Sequence, residues 1–207
     1  ERGIRQLLIM RSNGGVMTTS TAAENPITMV RSGPAGGAVA AAAISELLGE
    51  KNLLTADMGG TSFDASLIVG GIPTSTTNEE LEFGIPLATP MLDVRSIGAG
   101  GGSIIRVNPI LGNQMEVGPE SAGAEPGPAC YGLGGERATV TDANVLLGRI
   151  EPEGFAGGTM TLDANAAAAA ITRDVGVAMV LDTSAAALGV VEIVDENMAS
   201  AARVHAI

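Results

Sequence analysis

Residues 53–69 run an apolar segment, Leu53-Leu-Thr-Ala, into Asp57-Met58-Gly59-Gly60-Thr61-Ser62 and then into a second apolar segment, Phe63-Asp64-Ala-Ser-Leu-Ile-Val69. Two apolar strands separated by a glycine pair commit this part of the chain to a hairpin. In such a turn the glycines let backbone N–H groups approach an anion closely, and the hydroxyls of Thr61 and Ser62 add donors. Asp57 and Asp64, one on each strand, can hold a hydrated divalent cation. The residues alone fit equally well a tight turn whose acids cap loose ends. A Walker loop is excluded, because it needs a Lys and a following helix and neither is present.

The rest of the chain alternates short apolar runs with glycine-rich turns. Leu7–Met10 reads as a strand ending in the Ser12-Asn13-Gly14-Gly15 turn, and Ile27–Arg31 as a second strand before a loop over Ser32–Gly37. A helix is expected over Ala38–Leu48, with Ile44, Leu47 and Leu48 on one side and Gly49 as its stop. The strand Leu53–Asp57, the hairpin partner Phe63–Val69 and an extended Ile72–Thr77 then form a meander. From about 98 to 135 the sequence is dense in Gly and Pro, with Ile104–Leu111 able to anchor a strand or hairpin. Thr141-Asp142 reads as a helix N-cap and Asp163 as the cap of an alanine-rich helix reaching about Arg173. A final helix capped at Thr183 or Ser184 sets Leu188, Val191, Val194, Met198 and Ala201 in one stripe. Periodicity gives an α/β or α+β class and no internal repeat.

Several ordered stretches narrow this reading. They are Arg11-Ser-Asn-Gly-Gly15, Ser32-Gly-Pro-Ala-Gly-Gly37, Gly98-Ala-Gly-Gly-Gly-Ser103, Val117-Gly-Pro-Glu-Ser-Ala-Gly-Ala124, Pro126-Gly-Pro-Ala-Cys-Tyr-Gly132 and Thr139-Val-Thr-Asp-Ala-Asn-Val-Leu-Leu-Gly148. In this order they resemble the hydantoinase A and 5-oxoprolinase family, which also holds subunits of acetone carboxylase. The hairpin resembles the second phosphate loop of the actin, sugar kinase and Hsp70 superfamily. The resemblance runs from about Leu7 to the end of the chain.

That resemblance implies an α/β fold, a ribonuclease H-like (actin-like ATPase) lobe with a mixed sheet, flanking helices and a glycine-rich insertion. Residues 1–207 would then be part of a hydantoinase/oxoprolinase domain: the second ATPase lobe, the insertion at about 98–135 and a helical part at about 163–207. It implies ATP and Mg2+ as cofactors and a cyclic amide as substrate, opened after phosphorylation of its oxygen makes the ring carbonyl electrophilic. Asp57 and Asp64 would position the metal or its waters, and Gly59, Gly60, Thr61 and Ser62 would hold phosphates. Gly100, Gly101 and Gly102 are assigned to the nucleotide site as well, although three consecutive glycines suit close approach to another strand too. The implied partner is a hydantoinase B-like subunit or domain, in an oligomeric assembly. An ATP-dependent carboxylase of the acetone carboxylase type uses the same hairpin, and the hairpin alone also permits a non-enzymatic ATP switch.

Full-length members of that family carry a first phosphate loop near the N-terminus and an adenosine-contacting glycine segment beyond the last helix, and both are missing here. The chain opens on Glu1 and its last expected helix stops at Ile207, so a piece of a longer, cytoplasmic polypeptide is expected. Such a piece holds one wall of a nucleotide cleft, binds nucleotide weakly and is inactive alone.

The remaining composition argues mostly by exclusion. A net charge of -12, with the 11 Lys and Arg scattered, gives no footprint for nucleic acid. No run reaches the ~18 apolar residues of a membrane span. Cys130 is the one cysteine and His205 the one histidine, so zinc chemistry and a Ser-His-Asp triad lack their groups. Cys130 reads as a structural thiol rather than a nucleophile, and Asp93 and Asp142 as candidate metal or substrate contacts, although a helix cap accounts for Asp142 without any ligand.

Overall fold

The computed structural model describes residues 6–81 and 84–207, the side chain of Leu81 excepted. They form two compact units. One comprises Glu1–Asp57, Asp64–Arg95 and Ala202–Ile207, the other Met58–Phe63 and Ser96–Ala201.

In the first unit β1 (Leu8–Met10) pairs antiparallel with β2 (Val16–Thr18), followed by α1 (Thr19–Glu24) and α2 (Ser32–Leu48). The short strands β3 (Leu53–Leu54), β4 (Asp57–Met58), β5 (Phe63–Val69), β6 (Ile72–Pro73), β7 (Ser75–Thr76), β8 (Glu79–Leu81), β9 (Ile85–Leu87), β10 (Met91–Leu92) and β11 (Val94–Ile97) come next. A five-stranded sheet is built on β5, which lies between β11 and β3 and also pairs with β4 and β6. Registers such as Leu53 opposite Ile68 and Val69 opposite Ile72 make the expected meander real, with its outer strands broken into two-residue pieces. Phe63, Ala65 and Ile68 are buried, as a central strand requires.

Three expectations are corrected here. The segment expected as a strand over Ile27–Arg31 is a 3-10 turn, Pro26–Met29, since Pro26 sets the helical φ for its first residue. Ser32–Gly37 is no loop: α2 starts at Ser32, with Pro34 in the first turn, where a missing N–H costs nothing. Ala35 and Ala38 press this helix onto Leu92 and Val94. Ile44, Leu47 and Leu48, expected as its apolar side, are instead at least half exposed, at 50%, 85% and 65%. Gly49 in the left-handed region ends the helix as expected.

The second unit carries the antiparallel hairpin β12 (Ser103–Asn108) and β13 (Gln114–Ser121), with Ile105 opposite Val117 and Val107 opposite Met115. It is the hairpin anticipated within the glycine-rich stretch. Against it lie α3 (Val140–Leu146), α4 (Ala164–Ile171), α5 (Val177–Met179) and α6 (Thr183–His205). Their shared core is made of Val140, Ala143, Ala167, Ala170, Ile171, Val190, Val191 and Val194, all at most 2% exposed. Alanines at these positions let helix axes approach closely. Of the expected α6 stripe, Val191 and Val194 are buried while Leu188 is 46% exposed. The cap of α3 is Thr139, two residues before the expected pair, with Asp142 at N3 completing a capping box. Asp163 caps α4 through Asn165 and Ala166, as expected. No single helix among the described residues is long and apolar enough to cross a membrane.

Candidate phosphate-binding site

Strand alternation fixes which side chains the first unit gathers. Thr55 and Asp57 lie two residues apart before the turn, and Asp64 and Ser66 two residues apart after it, so each pair shares a face. These four residues, with Val94 and with Pro34, Gly37 and Ala38 of α2, line a cavity of about 110 Å³. Thr55 and Ser66 satisfy one another: each backbone N–H donates within the pair, at 2.8 Å, and their hydroxyls are 2.7 Å apart. Among the described residues the carboxylates have no such partner. Asp64 Oδ1 is shielded from solvent and accepts no hydrogen bond among the described residues, whereas Asp57 is exposed. The first two turns of α2 bring the positive end of a 17-residue helix to the same wall.

An orphaned carboxylate oxygen is costly in a protein interior and is relieved by a cation or its waters. At a liquid volume of roughly 30 Å³ per water, the cavity has room for three or four. Among the described residues no group of three or more His, Cys, Asp or Glu side chains converges. Two carboxylates and a wet cavity suit a cation that keeps most of its water, which is the habit of Mg2+. Thr55 and Ser66 are the residues that sequence reading missed here, and period-two alternation from Asp57 and Asp64 was the signal for them.

The turn itself belongs to the second unit. Gly59 N donates to Ser62 O at 2.8 Å and closes the tip. Gly59, Gly60 and Thr61 are exposed, so their backbone is open to a ligand. Behind them stands the triple glycine: Gly101 N donates to Gly59 O at 3.0 Å and Gly102 N to Gly60 O at 2.7 Å. A Cβ on Gly100 would lie 2.6 Å from Thr61 N and 2.7 Å from Gly60 C, and one on Gly102 would lie 2.9 Å from Gly60 O. The close backbone approach read from the sequence is therefore present, and its partner is the turn. Thr141 continues the support, donating from N and Oγ1 to Gly101 O at 2.7 and 2.8 Å. The turn thus rests, through two layers of backbone hydrogen bonds, on the first turn of α3.

Of the other candidate residues, Asp142 and Cys130 serve structure. Asp142 is fully buried and accepts from Cys130 N at 2.8 Å, Thr139 N at 2.9 Å, Thr139 Oγ1 at 2.8 Å and Ala129 N at 3.3 Å. Those four bonds fill it as a cap and loop clamp. Cys130 is fully buried, and that burial, followed by the nearby Asp142 charge, pushes its thiol far above the usual range. Asp93 gives its backbone N–H to Thr74 O at 2.9 Å. His205 ends α6 with Nε2 buried and without a hydrogen bond among the described residues.

Comparison with known proteins gives the family of the chain. The family model described as hydantoinase/oxoprolinase matches residues 1–205. The caprolactamase subunit alpha of Pseudomonas jessenii is 37% identical over 193 residues, 93% of this chain and 27% of that protein. The acetophenone carboxylase gamma subunit of Aromatoleum aromaticum is 40% identical over 195 residues, 94% of this chain and 26% of that protein. Among solved structures, nucleotide-free acetone carboxylase superposes with a TM-score of 0.83 at 34% identity, covering 93% of this chain and 26% of its own. The chain thus spans about a quarter of the length of each of these relatives.

Proposed function

The chain belongs to the hydantoinase/oxoprolinase family, and on that premise we propose that it is the phosphate-binding part of an ATP-dependent enzyme that opens a cyclic amide. It would form the second lobe of a ribonuclease H-like, actin-type ATPase in a cytoplasmic, multi-subunit protein with a hydantoinase B-like partner. The observation that carries this reading is the exposed Gly59-Gly60-Thr61 tip, held from behind by Gly101 and Gly102 and continuous in sequence with the carboxylates Asp57 and Asp64.

In this reading the backbone of Gly59 and Gly60 and the hydroxyls of Thr61 and Ser62 bind phosphate oxygens, oriented before the ligand arrives. Gly100, Gly101 and Gly102 contribute by fixing the turn from behind. Asp57 and Asp64 hold the waters of Mg2+, which neutralises phosphate charge when bound. Such help is needed in a chain of net charge -12. ATP supplies the phosphoryl group that turns a poor amide electrophile into one that water can open.

The test uses the full-length protein with its partner subunit. Magnesium-dependent phosphate release should rise on adding a hydantoin or lactam, and Asp57→Asn and Asp64→Asn should each abolish it while circular dichroism stays unchanged. Retained turnover in either variant refutes the assignment. Carboxylation is the second reading, favoured by the names of the carboxylase relatives. It predicts stimulation only by a ketone with bicarbonate. The family's own description sides with the cyclic amide, and the enzyme names among the relatives disfavour a non-enzymatic switch.

A further inference from the structure

Two of the glycine–proline stretches, Val117–Ala124 and Pro126–Gly132, take no part in the turn. Both contribute to one cavity of the second unit, about 510 Å³ in volume, within the ~300–1,000 Å³ range of small-molecule sites. Ile104, 3% exposed, Ala122 and the backbones of Gly127 and Gly135 give it an uncharged lining. Those two glycines cross so closely that a Cβ on Gly135 would overlap the Gly127 carbonyl. The ionisable lining is Glu120, Glu125, Glu136 and Arg137. Arg137 is already committed, donating to Glu120 Oε1 at 2.8 Å, and Glu120 Oε2 pairs with Arg106. Glu125 has no side-chain partner among the described residues. Arg173 donates to the Glu136 carbonyl but is itself paired with Asp174, so four carboxylates against three arginines leave this wall negative, and each of these arginines is already in an ion pair.

The cavity is also tied to the phosphate turn. Ala122, in its wall, donates its N–H to Gly102 O at 2.8 Å, and Gly102 donates to Gly60 O at 2.7 Å. Two hydrogen bonds therefore connect the cavity wall to the turn. We propose that this cavity receives the substrate ring, and that its uncharged lining and negative rim select uncharged cyclic amides over a ring bearing a carboxylate. The inference rests on the cyclic-amide reading above and deepens it. A methylene ring meets Ile104 and the glycine backbones, and an amide N–H meets a carboxylate acceptor. An anionic ring meets Glu125, whose side chain has no partner among the described residues, and no unpaired arginine in the wall.

The experiment measures magnesium-dependent phosphate release by the full-length protein with its partner. ε-Caprolactam and hydantoin serve as neutral probes and 5-oxoproline as the anionic one. The neutral rings should have kcat/KM at least tenfold above that of 5-oxoproline. Glu125→Lys should invert that order through KM for the ring while KM for ATP holds, and the isosteric Glu125→Gln should narrow it. Stimulation by 5-oxoproline equal to that by the neutral rings leaves the cyclic-amide reading standing and overturns this proposal. A change in KM for ATP instead assigns the cavity to the nucleoside and also overturns it. No stimulation by any ring overturns both.

Discussion

Gly100→Ala is the sharpest test of the support behind the turn. The new Cβ would stand 2.6 Å from Thr61 N, 2.7 Å from Gly60 C and 2.7 Å from Thr61 C, all backbone atoms that no rotamer change can move aside. Ordinary contact begins at 3.4 Å, so the turn must retreat by about 0.8 Å. That retreat strains the bonds from Gly101 to Gly59 and from Gly102 to Gly60. Overpacking of this kind costs about 1–3 kcal/mol, and each weakened backbone bond adds roughly 1 kcal/mol. A loss of about 3–5 kcal/mol in unfolding free energy is expected, measured by urea titration followed by circular dichroism. A misplacement approaching 1 Å at the phosphate donors should also lower turnover of the full-length protein on the order of 10²-fold. Gly60→Ala is the control, because a Cβ there meets nothing within 4 Å. It should cost less than about 1 kcal/mol of stability. Gly100→Ala unfolding at the wild-type midpoint, or Gly60→Ala losing as much as Gly100→Ala, would refute the argument.

Three further outcomes are expected. Gly36→Ala, inside α2 with open space at its Cβ, should raise stability by about 0.5–1 kcal/mol in the same titration. Asp142→Ala strands the N–H groups of Cys130 and Thr139 and should cost roughly 3–5 kcal/mol, seen as a large downward shift of the urea midpoint. The Cys130 thiol is held neutral by burial and by Asp142, so Ellman's reagent should label it only after unfolding. Because its folded pKa is raised, the stability it contributes is complete below the unfolded thiol's value near 9.0. Above that value stability should fall by up to about 1.4 kcal/mol per pH unit, and Cys130→Ala should lack this alkaline limb.

The hairpin and its glycine tip were legible because strand, turn and strand are adjacent in sequence and obey local rules. The caps at Asp163 and Gly49 and the β12–β13 hairpin were legible for the same reason. Ser32–Gly37 misled because three glycines and a proline outweigh one Ala in any propensity sum. What decides there is tertiary: Ala35 and Ala38 packed on Leu92 and Val94 hold the segment helical. Ile44, Leu47 and Leu48 carried a helical spacing that this unit does not bury. The Asp142 clamp was only half visible, since Thr139 is local while Ala129 and Cys130 approach from a loop.

Two glycine-rich segments look alike in sequence and work by opposite physics. In α2, Gly33, Gly36 and Gly37 have open space where a Cβ would stand, so packing does not require them, and Gly37 leaves the wall of the Asp57–Asp64 cavity free of a side chain. In the second unit, a Cβ on Gly98, Gly100 or Gly102 would meet other atoms at 2.6–2.8 Å. There glycine permits one backbone to lie against another. The order of the glycine-dense stretch therefore comes from backbone-to-backbone contact as well as from the β12–β13 hairpin, and Thr141 and the buried Asp142 anchor it. A phosphate turn gains from such a support, because donors already fixed before the ligand arrives lose little entropy when they bind it.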